Sequence, residues 1–335
     1  YVPAIFPLSL LDEGHTGVAL FMALSGYLFA KLLDGRRIDY RAFIWNRFIR
    51  LFPLLALVIL VLACKKLLAG DDFWGYANSI LWGPVKPTLP HGGWSITVEA
   101  HFYLILPLLL WVSRKSEYSL LLVVCATIVL RVVLYQVFGQ IQDLAYSTII
   151  GRLDQFLCGM MAYRLRHAIG RRHLLALVII VSLAAFYWFF DGRGGFAGSS
   201  ADPLLRRLWL IIPTMEGIAY AVAISWYDNS FSHSNGRMSQ IVALFGQYSY
   251  SIYLLHFFVV GRLATAIHEH LLDLSDFHVA LGAAFVCFLG MLPIGYLSFR
   301  FVEAPFLSLR TRYVIAEPMP SRAHDSPGGT SQEPA

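Results

Sequence analysis

The sequence predicts an all-α, polytopic membrane bundle of nine spans, with its N-terminus outside and its C-terminus cytoplasmic. Three observations predict it. Apolar residues make up 57% of the 335 and charged residues 14%, whereas soluble domains carry about 25% charged residues. The apolar residues fall in blocks close to the roughly 20 needed to cross hydrocarbon, and mean hydropathy is +0.61. Lys and Arg gather in alternate connections between the blocks. A soluble globular domain and a disordered chain are both excluded.

Taken in order, the spans lie near residues 17–33, 48–68, 94–113, 118–138, 145–165, 173–190, 207–226, 240–262 and 278–302. Orientation follows from the basic residues between them. The side holding Lys31, Arg36, Arg37, Arg41, Arg47, Arg50 and the later alternate loops carries 17 of them, and the other side carries 7. The first side is therefore expected to be cytoplasmic. On this reading the chain begins at Tyr1 in an outer loop that no earlier span delivers, so a helix is expected to precede it. Outer connections at 70–93 and 191–206 are long. Residues 1–312 read as one membrane domain, and 313–335 as a cytoplasmic tail, rich in Pro, Ser and Gly from Glu317, that is expected to be disordered.

Other chemistry is absent at the level of motifs. Cys64, Cys125, Cys158 and Cys287 stand singly in apolar segments, so neither disulfides nor a thiol centre is expected. There is no Walker A loop, GxGxxG or HExxH. The pairs and clusters of His show no metal-ligand spacing, and no metal is expected. The net charge of +5 is a topology signal rather than a nucleic-acid footprint.

Ionisable groups inside spans are costly and mark sites or buried ion pairs. Seven stand out: Glu99, His101, Arg131, Arg152, Asp154, Glu216 and His256. Residues two apart point about 200° apart on a helix, so Glu99 and His101 face opposite ways, as do Arg152 and Asp154. Gly246, Ser249, Tyr253 and His256 share one stripe, which either lines a cavity or bonds a neighbouring helix. Arg47 and Arg50, at i and i+3, either grip a polyphosphate through bidentate guanidinium contacts or anchor the helix at the cytoplasmic surface. Trp74, Trp82 and Trp94 read as interfacial residues.

Six segments carry a resemblance. Residues 17–28, GVALFMALSGYL, look like GVDLFFVLSGFL. Residues 47–53, RFIRLFP, resemble an RxxR stretch before a proline. Residues 94–103, WSITVEAHFY, are similar to WSLSVEEQFY. Residues 151–159, GRLDQFLCG, look like an RxDxFxxG helix, 249–256, SYSIYLLH, like SYSLYLWH, and 299–306, FRFVEAPF, like YRFVEKPF. In this order they resemble the membrane-bound acyltransferase family 3, the integral-membrane O-acyltransferases of surface glycans. Ala19, Ala100, His101 and Phe258 depart from the family's Asp, Glu, Gln and Pro. The family has ten helices, and its first bears the His usually assigned as catalytic. That helix would precede Tyr1, and His15 in the outer loop is not an obvious substitute for that His.

The resemblance implies a bacterial inner-membrane enzyme that moves an acyl group from acyl-CoA, acetyl-CoA above all, to a hydroxyl of a glycan, glycolipid or lipid-linked sugar. Acyl-CoA would be a co-substrate, with no permanently bound cofactor. Partners would be that acceptor and membrane lipids, not nucleic acid. Glu99, Arg152 and His256 would be catalytic, with Glu99 behind the family's His and Arg152 polarising the acyl carbonyl. Arg47 and Arg50 would hold CoA phosphates. Ser25, Trp94, Ser95, His101, Tyr103, Asp154, Ser249 and Tyr253 would line the substrate cavity. The alternatives are a non-catalytic remnant or partner subunit, or a transporter of a glycan precursor.

Overall fold

The computed structural model describes residues 5–34, 36–116, 118–232 and 234–315. They form a helical bundle of a multi-pass membrane protein. The principal helices are α1 (Gly17–Leu33), α2 (Tyr40–Ala69), α3 (Phe73–Trp82), α4 (Trp94–Lys115), α5 (Ser119–Phe138), α6 (Gln142–Ser147), α7 (Ile149–Arg164), α8 (His173–Gly192), α9 (Ile212–Ser230), α10 (Arg237–His270) and α11 (Phe277–Ser298). Several starts are capped by sequence. Asp39 accepts from the backbone N–H of Arg41 and Ala42 at 3.0 and 3.1 Å and opens α2, and Asp276 does the same for α11. Gly70, at φ 71°, closes α2 in the left-handed conformation that glycine adopts without steric cost.

Seven helical segments among the described residues are long and apolar enough to cross a membrane. Seven of the nine expected spans correspond to these segments; the other two are broken, 145–165 at Thr148 between α6 and α7, and 207–226 by a turn before α9. With 16 residues α7 is too short, and α9 carries too many polar residues, Thr214, Glu216 and Asp228 among them. They lie at the centre of the bundle, where protein rather than lipid surrounds them. Here α7 has 16 residues, of which ten are buried, among them Arg152, Asp154 and Gln155. Outer helices instead expose Leu, Val and Ile, as lipid-facing surfaces do.

Small residues set the central crossing. A Cβ at Gly26 of α1 would lie 2.0 Å from the carbonyl oxygen of Phe156, and one at Gly159 of α7 would lie 2.0 Å from that of Ala23. The two backbones meet because both positions lack side chains, the usual device for helix packing in lipid. Neither colliding atom is a flexible side chain. Gly26→Val is therefore expected to cost about 3 kcal/mol or more, at the upper end of overpacking penalties. A thermal melt in detergent checks this, and an unchanged midpoint would refute the crossing.

Two short strands, β1 (Arg37–Ile38) and β2 (Val314–Ile315), pair antiparallel, with Arg37 opposite Ile315. The expected tail thus begins with structure. Tyr313 packs its ring 5.7 Å from that of Phe43, and Val314–Ile315 close the strand pair. Residues 316–335, the rest of that tail, lie outside the described residues.

Candidate functional site

One cavity of about 610 Å³ runs between α1, α2, α4 and α10. Its lining on α1 extends from Gly17 to Leu32, about 22 Å of helix at 1.5 Å per residue. That is most of a hydrocarbon core of roughly 30 Å. The wall is chiefly apolar, and polar groups enter at defined heights.

One end is cationic. Arg47 and Arg50 project from neighbouring turns of α2, and Tyr313 closes that end. The guanidinium of Arg47 sits among aromatic faces, 5.4 Å from the ring centre of Phe29 and 5.6 Å from that of Phe43. It donates to the Tyr313 hydroxyl at 3.4 Å. Arg50 differs: it donates to the buried carboxylate of Glu303 at 3.0 Å, and Ser251 donates to that same carboxylate.

Further along, Glu99 and Tyr103 of α4 face the cavity one turn apart, and the Tyr103 hydroxyl donates to the Glu99 carboxylate. Glu99 is 6% exposed. Ser25 of α1 and Ser249 and Tyr250 of α10 complete the middle. At the far end lie Gly14, Gly17, Ser95 and Tyr253. The Tyr253 hydroxyl donates to the Gly92 carbonyl at 3.0 Å, tying α10 to the loop that leads into α4. The cavity therefore joins a cationic end, a buried carboxylate and a group of hydroxyls, and can hold an anion at one end and exchange a proton in the middle.

Eight sequence-selected residues meet here: Ser25, Arg47, Arg50, Ser95, Glu99, Tyr103, Ser249 and Tyr253. Five do not line it. His101 is on the opposite face of α4 from Glu99, as the 200° offset requires, with Nε2 2.8 Å from the carbonyl oxygen of Pro84. Trp94 packs against Tyr146, with ring centres 4.6 Å apart and planes tilted by 46°. His256 lies one turn of α10 beyond Tyr253, past the end of the cavity. Its Nδ1 is 2.6 Å from the Tyr253 carbonyl oxygen and its ring packs on Phe257. Arg152 and Asp154 separate as expected, each into its own buried ion pair. Arg152 meets Glu216 of α9 at 3.4 Å and donates to the Tyr146 carbonyl at 2.7 Å. Asp154 meets Arg131 of α5 at 2.8 Å. Neither residue is among those that line the cavity.

Sequence reasoning missed three participants. Glu303, Tyr250 and Tyr313 all reach this site, the first two from within the quoted 299–306 and 249–256 segments. Their motif membership was the available signal; Tyr313 carried none. His15, expected in an outer loop, lies in the short 3-10 turn Gly14–Thr16 that leads into α1. Its Nδ1 lies 2.9 Å from Glu13 Oε2, and its ring packs 4.7 Å from Phe196 and 5.6 Å from Tyr146. Glu13 in turn accepts from the Phe196 N–H at 3.0 Å. The pair thereby joins the turn before α1 to residue 196, beside the end of the cavity that Gly14 borders.

The profile of the acyltransferase domain family, acyltransferase 3, matches residues 10–298. The "Putative peptidoglycan O-acetyltransferase YrhL" of Bacillus subtilis (strain 168) is 24% identical over 341 residues, covering 88% of this chain and 50% of that protein. The "Putative O-acetyltransferase SACOL0978" of Staphylococcus aureus (strain COL) is 24% identical over 347 residues, covering 88% of this chain and 53% of that protein. The chain spans about half the length of the curated relatives it matches. No solved structure matches it.

Proposed function

The chain belongs to the acyltransferase 3 domain family, and from that membership and the cavity we propose that it transfers an acyl group, acetyl above all, from acyl-CoA to a hydroxyl of a cell-surface glycan or glycolipid. The setting is the bacterial inner membrane, with the Arg47 end of the cavity facing the cytoplasm, in line with the excess of basic residues on that side. The observation that carries this reading is a cavity with Glu99 between a cationic end and a hydroxyl-lined one.

The chemistry follows from that order. The acyl-CoA enters at the arginines with its thioester directed toward Glu99. The acceptor arrives from the other end, and its hydroxyl oxygen attacks the thioester carbon. The new C–O bond forms, the C–S bond breaks, and the hydroxyl proton passes to the carboxylate of Glu99 and from there to the departing thiolate. A carboxylate serves as base here because the wall around it excludes water and the Tyr103 hydroxyl holds it in place. Ser25, Ser95 and Tyr253 supply hydroxyls that can orient a sugar.

The experiment uses membranes containing the full-length protein, acetyl-labelled acetyl-CoA and extracted surface glycans. Alkali-labile label on a glycan, absent without the protein, is the expected result. Movement of an unmodified glycan precursor across the membrane, with no covalent label, would replace this reading by transport.

A further inference from the structure

The cavity is open on the side between α1 and α10. Two of its lining residues on α1, Phe21 and Leu28, are 46% and 50% exposed, and Ser249 on α10 is exposed as well. A Cβ added at Gly17 of α1 or at Gly246 of α10 would meet nothing within 4 Å. The two helices are held by different partners: α1 packs on α7 and α9, and α10 packs on α11 and α2. The chain before α1 is directed toward α9 and α8 and away from α10. Thr16 Oγ1 lies 2.8 Å from the Tyr220 hydroxyl of α9, and the Phe6 ring lies 6.0 Å from that of Trp188 on α8. The loop before α4, by contrast, caps the cavity. The Gly92 carbonyl accepts from the Ser95 and Tyr253 hydroxyls at 3.0 Å each, and His91 beside it packs its ring 4.3 Å from that of Phe258 on α10.

The open side begins at the hydroxyl-lined end, at Gly17, and continues past Phe21 to Leu28, about 16 Å along α1 at 1.5 Å per residue. Phe21 lies four residues into α1 and Glu99 five into α4, so this rim stands level with the buried carboxylate. Val18, Phe21 and Leu28 make the rim apolar, while Ser25 and Glu99 behind it are buried. Lipid chains border such a rim on a membrane-spanning helix. A free sugar does not pass through them, since each unpaired hydroxyl costs about 2–7 kcal/mol in an apolar medium. A sugar carried on a lipid meets no such barrier. Its head enters near Gly17, at the end of the helix, and its chain remains among the lipids along Phe21 and Leu28.

We propose that the acceptor is a lipid-linked sugar, and that its hydroxyl reaches Glu99 sideways, between α1 and α10, while its lipid chain stays in the bilayer. Phe21 and Ser249 form the two sides of this entrance. The proposal rests on the acyl-transfer reading above and narrows its acceptor. The chain of an ordinary phospholipid could fill the same opening, so the test separates the two.

Full-length Ser249→Cys, in its native membranes, is given acetyl-labelled acetyl-CoA before and after treatment with benzyl methanethiosulfonate, which attaches a bulky ring that dithiothreitol removes. Alkali-labile label is expected first in the chloroform–methanol phase. The attached ring is expected to lower that label at least about tenfold, as for a substrate kept from its reacting geometry, and dithiothreitol to restore it. Wild type, whose four cysteines do not line the cavity, should be unaffected. Restoration rules out a folding defect. Label that enters aqueous glycan without passing through the solvent phase overturns the proposal, and so does a modified protein that keeps transfer within twofold. A second readout needs no turnover. In nanodiscs, a glycosyl diacylglycerol with a diazirine in its acyl chain is expected to cross-link to Phe21, Leu28 and residue 249 about tenfold more than phosphatidylcholine bearing the same group. Equal cross-linking of the two lipids assigns the opening to bulk lipid and overturns the proposal. Selective cross-linking without acyl transfer leaves the entrance standing and refutes the enzyme reading instead.

Discussion

Replacing Glu99 by Gln is expected to lower kcat for acyl transfer by at least about 100-fold, the range that a general base contributes. The substitution keeps the shape of the side chain and an oxygen that accepts the Tyr103 hydroxyl. The fold around α4 should therefore survive, and the thermal midpoint should stay near that of wild type. What is lost is the capacity to take up a proton inside a cavity where no other described carboxylate lines the wall. Donor affinity resides at the arginine end, so the donor KM should move by less than threefold while kcat collapses. Rates of label transfer over a range of acetyl-CoA concentrations check this, alongside a melt of the same sample. Activity within threefold of wild type would remove Glu99 from the reaction. Loss of activity with loss of folding would instead make it a packing residue.

Several features of the site were legible in the sequence because helices obey simple geometry. The 200° offset between residues two apart separates Glu99 from His101 and Arg152 from Asp154, and both separations are found. The spacing of Arg47 and Arg50 puts both in the cavity. It could not reveal that Glu303 neutralises one of them, because that carboxylate lies 253 residues away and no local periodicity points to it. His256 continues the stripe of Ser249 and Tyr253 in angle but not in depth: angular position selects a face, while the height of the cavity depends on where the loop at Gly92 caps it. The ordered stretch from Thr311 to Ile315 leaves no local signal for a related reason. A two-residue strand has no measurable period, and its place is set by Asn46 and by pairing with β1. The partners of Arg131 and Arg152 were equally hidden, since only the packing of α7 against α5 and α9 decides which carboxylate each arginine meets.

That packing yields the second large effect, Asp154→Asn. Arg131 and Asp154 are both 0% exposed. Arg131 donates to Asp154 at 2.8 Å, to the Thr214 hydroxyl at 2.6 Å and to the Gly151 carbonyl at 3.2 Å. Thr214 donates in turn to Asp154. One closed network thus links α5, α7 and α9 at mid-bundle. Removing only the negative charge strands the arginine in a medium that cannot solvate it, and the expected cost is about 3–5 kcal/mol. The double change Arg131→Met with Asp154→Leu removes both charges and keeps apolar volume in their place, so it should recover more than half of that loss. It should also retain acyl transfer, because neither residue lines the cavity. Chemical or thermal unfolding of the three proteins in one detergent measures the first two expectations, and label transfer measures the third. If Asp154→Asn melts like wild type yet fails to transfer the acyl group, the pair belongs to the chemistry. The ion pairs of α7 would then be part of the site rather than the frame that holds it.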